Sequence, residues 1–135
     1  MTEYLHNQLV STLRSAGISP ALSEDEIDSY PYVTFELPVE YSYDKDGPYK
    51  ITGNLTVRSV SDDIDEVETL QSGIEAAIAQ GFDGSAVNIM SVPEDPNDTP
   101  TVLDTVYYTA RLTDVRKDCT DGIWVIEQDY ILTQK

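Results

Sequence analysis

Apolar positions fall at helical spacing in two stretches of the chain and alternate with polar ones in most of the rest. Leu5, Leu9, Leu13 and Ala16 recur at three- and four-residue intervals, with Glu3, Asn7, Gln8, Ser11 and Arg14 on the other faces, so residues 2–16 are predicted to form an amphipathic helix. Gly17 follows as its stop. After an acidic connector, Ser23 to Asp28, the period changes to two. Val33, Phe35, Leu37 and Val39 alternate with Thr34, Glu36, Pro38 and Glu40, the pattern of a strand with one buried face. Pro38 cannot donate to a ladder, which puts this strand at a sheet edge or places a bulge there. Asp44 to Pro48 is turn chemistry, and Lys50 to Val60 alternates again through Ile51, Leu55 and Val57, so the two runs make a long antiparallel hairpin.

A second helix opens at Ser61-Asp62-Asp63. Asp65, Glu66 and Glu68 load its first turns, where the helix dipole favours negative charge, and Asp63 with Glu66 makes a capping pair. Its stripe is Ile64, Val67, Leu70, Ile74, Ala77 and Ile78, and Gly81 is expected to end it. Three strands are then predicted: Ala86 to Val92, Val102 to Leu112 and Ile123 to Leu132, with a proline-rich loop from Pro93 to Pro100 and a polar turn from Lys117 to Gly122. The fold class is α+β in the order α-β-β-α-β-β-β, with two helices packed on one face of a mainly antiparallel sheet. The expected core is Leu5, Leu9, Leu13, Val33, Phe35, Leu55, Val57, Leu70, Ile74, Val106, Tyr108, Trp124 and Ile126.

Composition narrows what such a fold can do. A chain of 135 residues suits one domain, 1–135, and its 40% apolar content with nine tyrosines is that of a folding sequence rather than an acidic tail. A net charge of −17 disfavours binding to nucleic acid or anionic membrane, both of which would repel it at long range. Met1 to Tyr4 does not start a signal peptide and no apolar run spans a bilayer, so neither export nor membrane insertion is expected, and the sequons at Asn54 and Asn97 read as ordinary strand and loop residues.

Catalytic and metal chemistry find little support. Cys119 has no second cysteine to pair with, and His6, the one histidine, has no visible partner and reads as a surface residue. Asp44-Lys45-Asp46-Gly47 suggests a calcium loop but fails its arithmetic: with Gly47 as the sixth residue, Gly53 stands where the bidentate glutamate belongs. The carboxylates of the second helix lack a base-orienting partner and serve as caps. No enzyme activity, cofactor or metal is expected.

Tyr30-Pro31-Tyr32-Val33-Thr34-Phe35 leading into the first strand, the return through Lys50-Ile51-Thr52-Gly53-Asn54-Leu55-Thr56-Val57, and the helix from Asp62 to Ile78 resemble the small phage tail-completion, or tail-terminator, proteins. The N-terminal helix and the closing strands with Tyr107, Tyr108 and Trp124 to Leu132 continue the same order over most of the chain. That resemblance implies a structural protein of a phage or prophage tail. Such proteins form a ring, usually of six subunits, that caps the tail tube and joins it to the neck, in a virion assembled in the host bacterial cytoplasm. The implied partners are further copies of the chain and the tail-tube and neck proteins. Heavy acidity departs from the family pattern; it suits a ring wall that repels passing DNA. The competing reading is an acidic binding protein, such as a DNA-mimicking inhibitor of a basic partner.

Subunit contact is expected at the tip of the first hairpin and at the proline-rich loop. Tyr41, Tyr43 and Tyr49 surround the charged turn that holds Asp44 and Asp46, and projecting aromatics are common interface anchors. Asp95 and Asp98 lie in the second loop, long enough to be functional.

Overall fold

The computed structural model describes residues 2–43, 49–91 and 93–134, with the side chains of 2–4, 40–43, 49–51, 87, 89 and 90 outside that description. Helix α1 spans Thr2–Ser15, and the strand and helix order is completed by β1 (Tyr32–Glu36), β2 (Val39–Tyr43), β3 (Tyr49–Ser61), α2 (Ile64–Ala77), β4 (Ala86–Met90), β5 (Val102–Thr120) and β6 (Ile123–Gln134). The strands form one antiparallel sheet in the order β1-β3-β6-β5-β4, with β2 also paired to β3. The α+β class and its segment order are as the hydrophobic pattern predicts.

Helix α1 ends as a Schellman turn requires: Gly17 takes φ of +81° and donates to Arg14 O at 3.0 Å, while Ile18 N donates to Leu13 O at 2.9 Å. Leu5, Leu9 and Leu13 are buried with Val33, Leu55, Val57, Ile74, Tyr108, Tyr130 and Leu132 in one core cluster, which places both helices on the same face of the sheet. His6 is half-buried, its ring 4.9 Å from that of Phe35.

Pro38 splits the first predicted strand in two. Its edge position holds, since β1 and β2 pair only with β3 among the described strands. There is no extra residue at the break: Glu36 lies opposite Thr56 and Val39 opposite Gly53, so the register runs straight across a kink. Asp44 to Pro48, including the rejected calcium loop, lies outside the described residues.

At the second helix, Asp63 caps as expected, accepting from Asp65 N at 2.9 Å. Glu66 does not return to the Asp63 amide. Ser61 Oγ accepts from that amide at 3.1 Å and donates to Glu66 Oε2 at 2.7 Å, so the serine relays the contact. Gly81 also fails to end the helix. The chain continues through a π-type turn, Ile78–Phe82, with Asp83 N donating to Ile78 O at 2.8 Å, and the left-handed residue is Gly84. Gly81 is where α1 passes closely: a Cβ there would sit 3.0 Å from Thr12 Cγ2. The wider π turn carries Phe82 into the core, 5.3 Å ring to ring from Tyr108.

The expected core is corrected at three positions. Phe35 and Leu70 are partly buried and pack against the cluster from its margin, and Trp124 is half-buried with Lys117 Nζ 5.6 Å above its ring. Phe82, Ile78, Tyr130 and Leu132 take their place. The turn predicted from Lys117 to Gly122 shrinks to Asp121-Gly122, both at positive φ, as a tight two-residue hairpin demands; Lys117 to Thr120 are strand.

Candidate assembly surfaces

Strand β6 is shorter than its neighbours at one end, and that difference shapes the molecule. Its last pairs are Thr133 with Thr52 of β3 and Gln134 with Tyr108 of β5. Past them, β3 continues through Tyr49–Ile51 paired only with β2, and β5 extends back through Val102–Tyr107 paired only with β4. Two hairpin arms therefore leave the same end of the sheet, one on each side of β6.

The first arm carries the predicted contact residues Tyr41, Tyr43 and Tyr49. Their backbone lies in β2 and β3, with Tyr43 paired to Tyr49 at the last described rung. Their side chains, and all of Asp44 and Asp46, lie outside the described residues.

The second arm is larger than the predicted loop. Ser91 N donates to Thr101 O at 2.8 Å and Thr101 N donates to Ser91 Oγ at 2.9 Å, which carries the hairpin past the end of β4 to its tip. At the tip Asp95 and Asp98 are both exposed, and the Asp95 carboxylate accepts from Asn97 N at 3.0 Å in a local turn while its carbonyl accepts from Asp98 N at 3.0 Å. Asp95 is thus a turn-forming residue first. The arm's apolar exposure lies nearer its root, at Val102, Leu103 and Tyr107, which are 53%, 58% and 53% exposed. Leu103 is the extra residue of a bulge, since Ile89 pairs with Asp104 and Met90 with Val102. Sequence reasoning placed Val102 to Leu112 in a strand without noticing that no helix remains to cover its first half.

The helix-free face of the sheet is the other large surface. It carries Arg58 from β3, Glu127 and Asp129 from β6, and Arg116 from β5, because cross-strand register places Glu127 opposite both Arg58 and Arg116. Arg116 reaches this face through a bulge. Leu112 pairs with Tyr130 and Asp114 with Asp129, leaving Thr113 extra, and the strand's faces exchange at that point. Arg116 then binds Asp129, Glu127 (Nη2 to Oε2, 3.1 Å) and Asp114 (Nη1 to Oδ2, 3.0 Å). The guanidinium bonds hold the Asp129 carboxyl below the usual range against some desolvation, and Thr56 Oγ1 donates to it at 2.8 Å. Arg58 is exposed and makes no ion pair among the described residues. Ile123 and Val125, half-buried, complete a shallow groove with Arg58, Arg116, Asp118, Thr120 and Glu127.

One solved virion chain shares this fold. The chain is similar over 96% of its length to a chain in "Virion of native gene transfer agent (GTA) particle", covering 90% of that chain with a TM-score of 0.51 and 10% sequence identity. The likeness to that virion chain extends through the helices and sheet and is a likeness of fold. No family model matches the sequence, and no curated protein matches it. Among the described residues no three histidine, cysteine or acidic side chains gather as a metal site, and no helix is long and apolar enough to cross a membrane.

Proposed function

We propose that the protein is a structural subunit of a phage-like particle, a tail-terminator type of component that forms a ring of six, caps the tail tube and joins it to the neck. The observation that carries this reading is the fold shared with a gene transfer agent virion chain over nearly the full length of both. The two arms at one end of the sheet support it further, since paired ribbons without a core of their own gain most when a neighbour covers them. In this reading the hairpin tip with Tyr41, Tyr43, Asp44, Asp46 and Tyr49, and the second tip with Asp95 and Asp98, contribute to contacts within the ring or with the tube.

The acidic balance of the chain makes assembly dependent on salt. Copies carrying −17 each repel one another, and the repulsion is screened as the Debye length falls from about 30 Å at 0.01 M to about 3 Å at 1 M ionic strength. Light scattering across that range tests the proposal: mass should rise in steps of several chains with salt. A protein that stays at the mass of one chain at every salt and protein concentration overturns it.

A further inference from the structure

We infer that the first half of α2, residues 64–72, is a flap that opens about Gly73 while the main core stays folded. Such opening is independent of the ring reading.

The two halves of α2 rest on different floors. The helix lies across β3 and β6. Ile74, Ala77, Ile78 and Phe82, from its second half and the π turn, are buried in the main cluster with Leu55, Val57, Tyr130 and Leu132. In residues 64–72 Val67 is the one buried side chain among the described residues, and it lies outside that cluster, which Leu70 meets only at its margin. Beyond Val57 and Tyr130 the helix-facing positions of the two strands turn polar: Ser59, Ser61 and Gln128 are fully buried there, with Ile126 opposite Ser59. Polar contacts therefore hold much of the first half to the sheet. Gln128 Nε2 donates to Gln71 O at 3.2 Å, Ser61 Oγ donates to Glu66 Oε2 at 2.7 Å, and Lys117 pairs with Glu68 in an exposed ion pair, a kind that contributes little.

This seat is also incompletely satisfied. Ser59 Oγ and Gln128 Oε1 are buried with no hydrogen-bond partner among the described residues, a desolvation cost that admitting water removes. Gly73 stands where the two floors meet. A Cβ there would meet only Ile18 Cδ1, at 3.4 Å, an ordinary contact, so packing does not demand a glycine, and a glycine inside a helix weakens it. A helix as short as residues 64–72 is not stable in water without packing, so the flap unfolds as it leaves the sheet and its amides become exchangeable.

Native-state hydrogen exchange of the full chain, read by mass spectrometry, tests the flap. Amides of residues 68–72 should exchange at least about tenfold faster than those of residues 77–82, and below the unfolding midpoint their exchange should depend far less on urea, because opening exposes little surface. Leu132→Ala, in the main core, should speed exchange of residues 77–82 at least about thirtyfold and leave residues 68–72 unchanged, since the opened form keeps that core. Gly73→Ala should slow exchange of residues 68–72 about fivefold. The urea dependence of the wild type decides the matter if Leu132→Ala fails to fold. Equal rates with equal urea dependence across α2, a Leu132→Ala effect shared by both halves, or no slowing by Gly73→Ala overturns the flap.

Discussion

Arg116 on β5 and Asp129 on β6 meet on the helix-free face, with Nη2 3.3 Å from Oδ1, because Thr113 is held outside the ladder as a bulge. Were Thr113 paired with Asp129 in the ladder instead, Arg116 would lie opposite Ile126 and Asp118 opposite Trp124, both turned toward the helices. Deleting Thr113 should therefore close the bulge, keep Leu112 opposite Tyr130 and Asp114 opposite Asp129, and leave a cooperative melting transition, as deleting Asn97 at the exposed arm tip also should. Arg116→Ala should lower the melting temperature only slightly, and less still at high salt, because exposed ion pairs are weak and screened. Thermal melts of the three variants check these expectations; loss of the cooperative transition on deleting Thr113 contradicts them.

Tyr130 predicts the alkaline limit. Burial, with Glu75 adding to it, pushes its phenol above the ordinary tyrosine range, and its Oη accepts from Gln128 Nε2 at 3.3 Å. The unfolded chain releases this proton near pH 10 while the folded chain keeps it, so stability present below about pH 10 is lost as pH rises beyond it. Tyr130→Phe should show a shallower alkaline decline in melting temperature than the wild type. Parallel profiles would count against the assignment.

Within α2, Ile74 and Leu70 separate core from margin. Ile74 is fully buried, so Ile74→Ala should cost about 2–5 kcal/mol in urea unfolding, and Leu70→Ala, at the partly exposed margin, should cost clearly less. Equal costs would mean that the stripe is buried evenly.

Ser59 is buried and its Oγ has no hydrogen-bond partner among the described residues. Its neighbours across the sheet are Val33 and Ile126. Removing an unpaired buried hydroxyl relieves a desolvation cost, so Ser59→Ala should leave the urea midpoint unchanged or raise it. A marked fall would point to a partner for the hydroxyl.

The hydrophobic pattern made α1, both halves of the first hairpin and α2 legible, because each buries one face at a regular period. Pro38 also marked the interrupted edge strand. The bulge at Thr113 was not readable: either register of Leu112 to Lys117 is a plausible strand, and only the pairing with β6 selects one. Phe82 was missed for a related reason, since a glycine at 81 looks like a helix stop until the π turn and the close passage of Thr12 are seen. Of the contact residues, Asp95 and Asp98 do sit on a projecting arm. Leu103 and Tyr107 escaped notice because alternation along a strand says nothing of whether a helix covers it.

The most direct test of the account is electron microscopy of the wild-type protein at high salt, combined with the mass of the imaged species. The account expects closed rings with a central opening, at six times the 15.0 kDa chain mass, that come apart as salt is withdrawn. Dispersed single chains, or open filaments without closed rings, would contradict it.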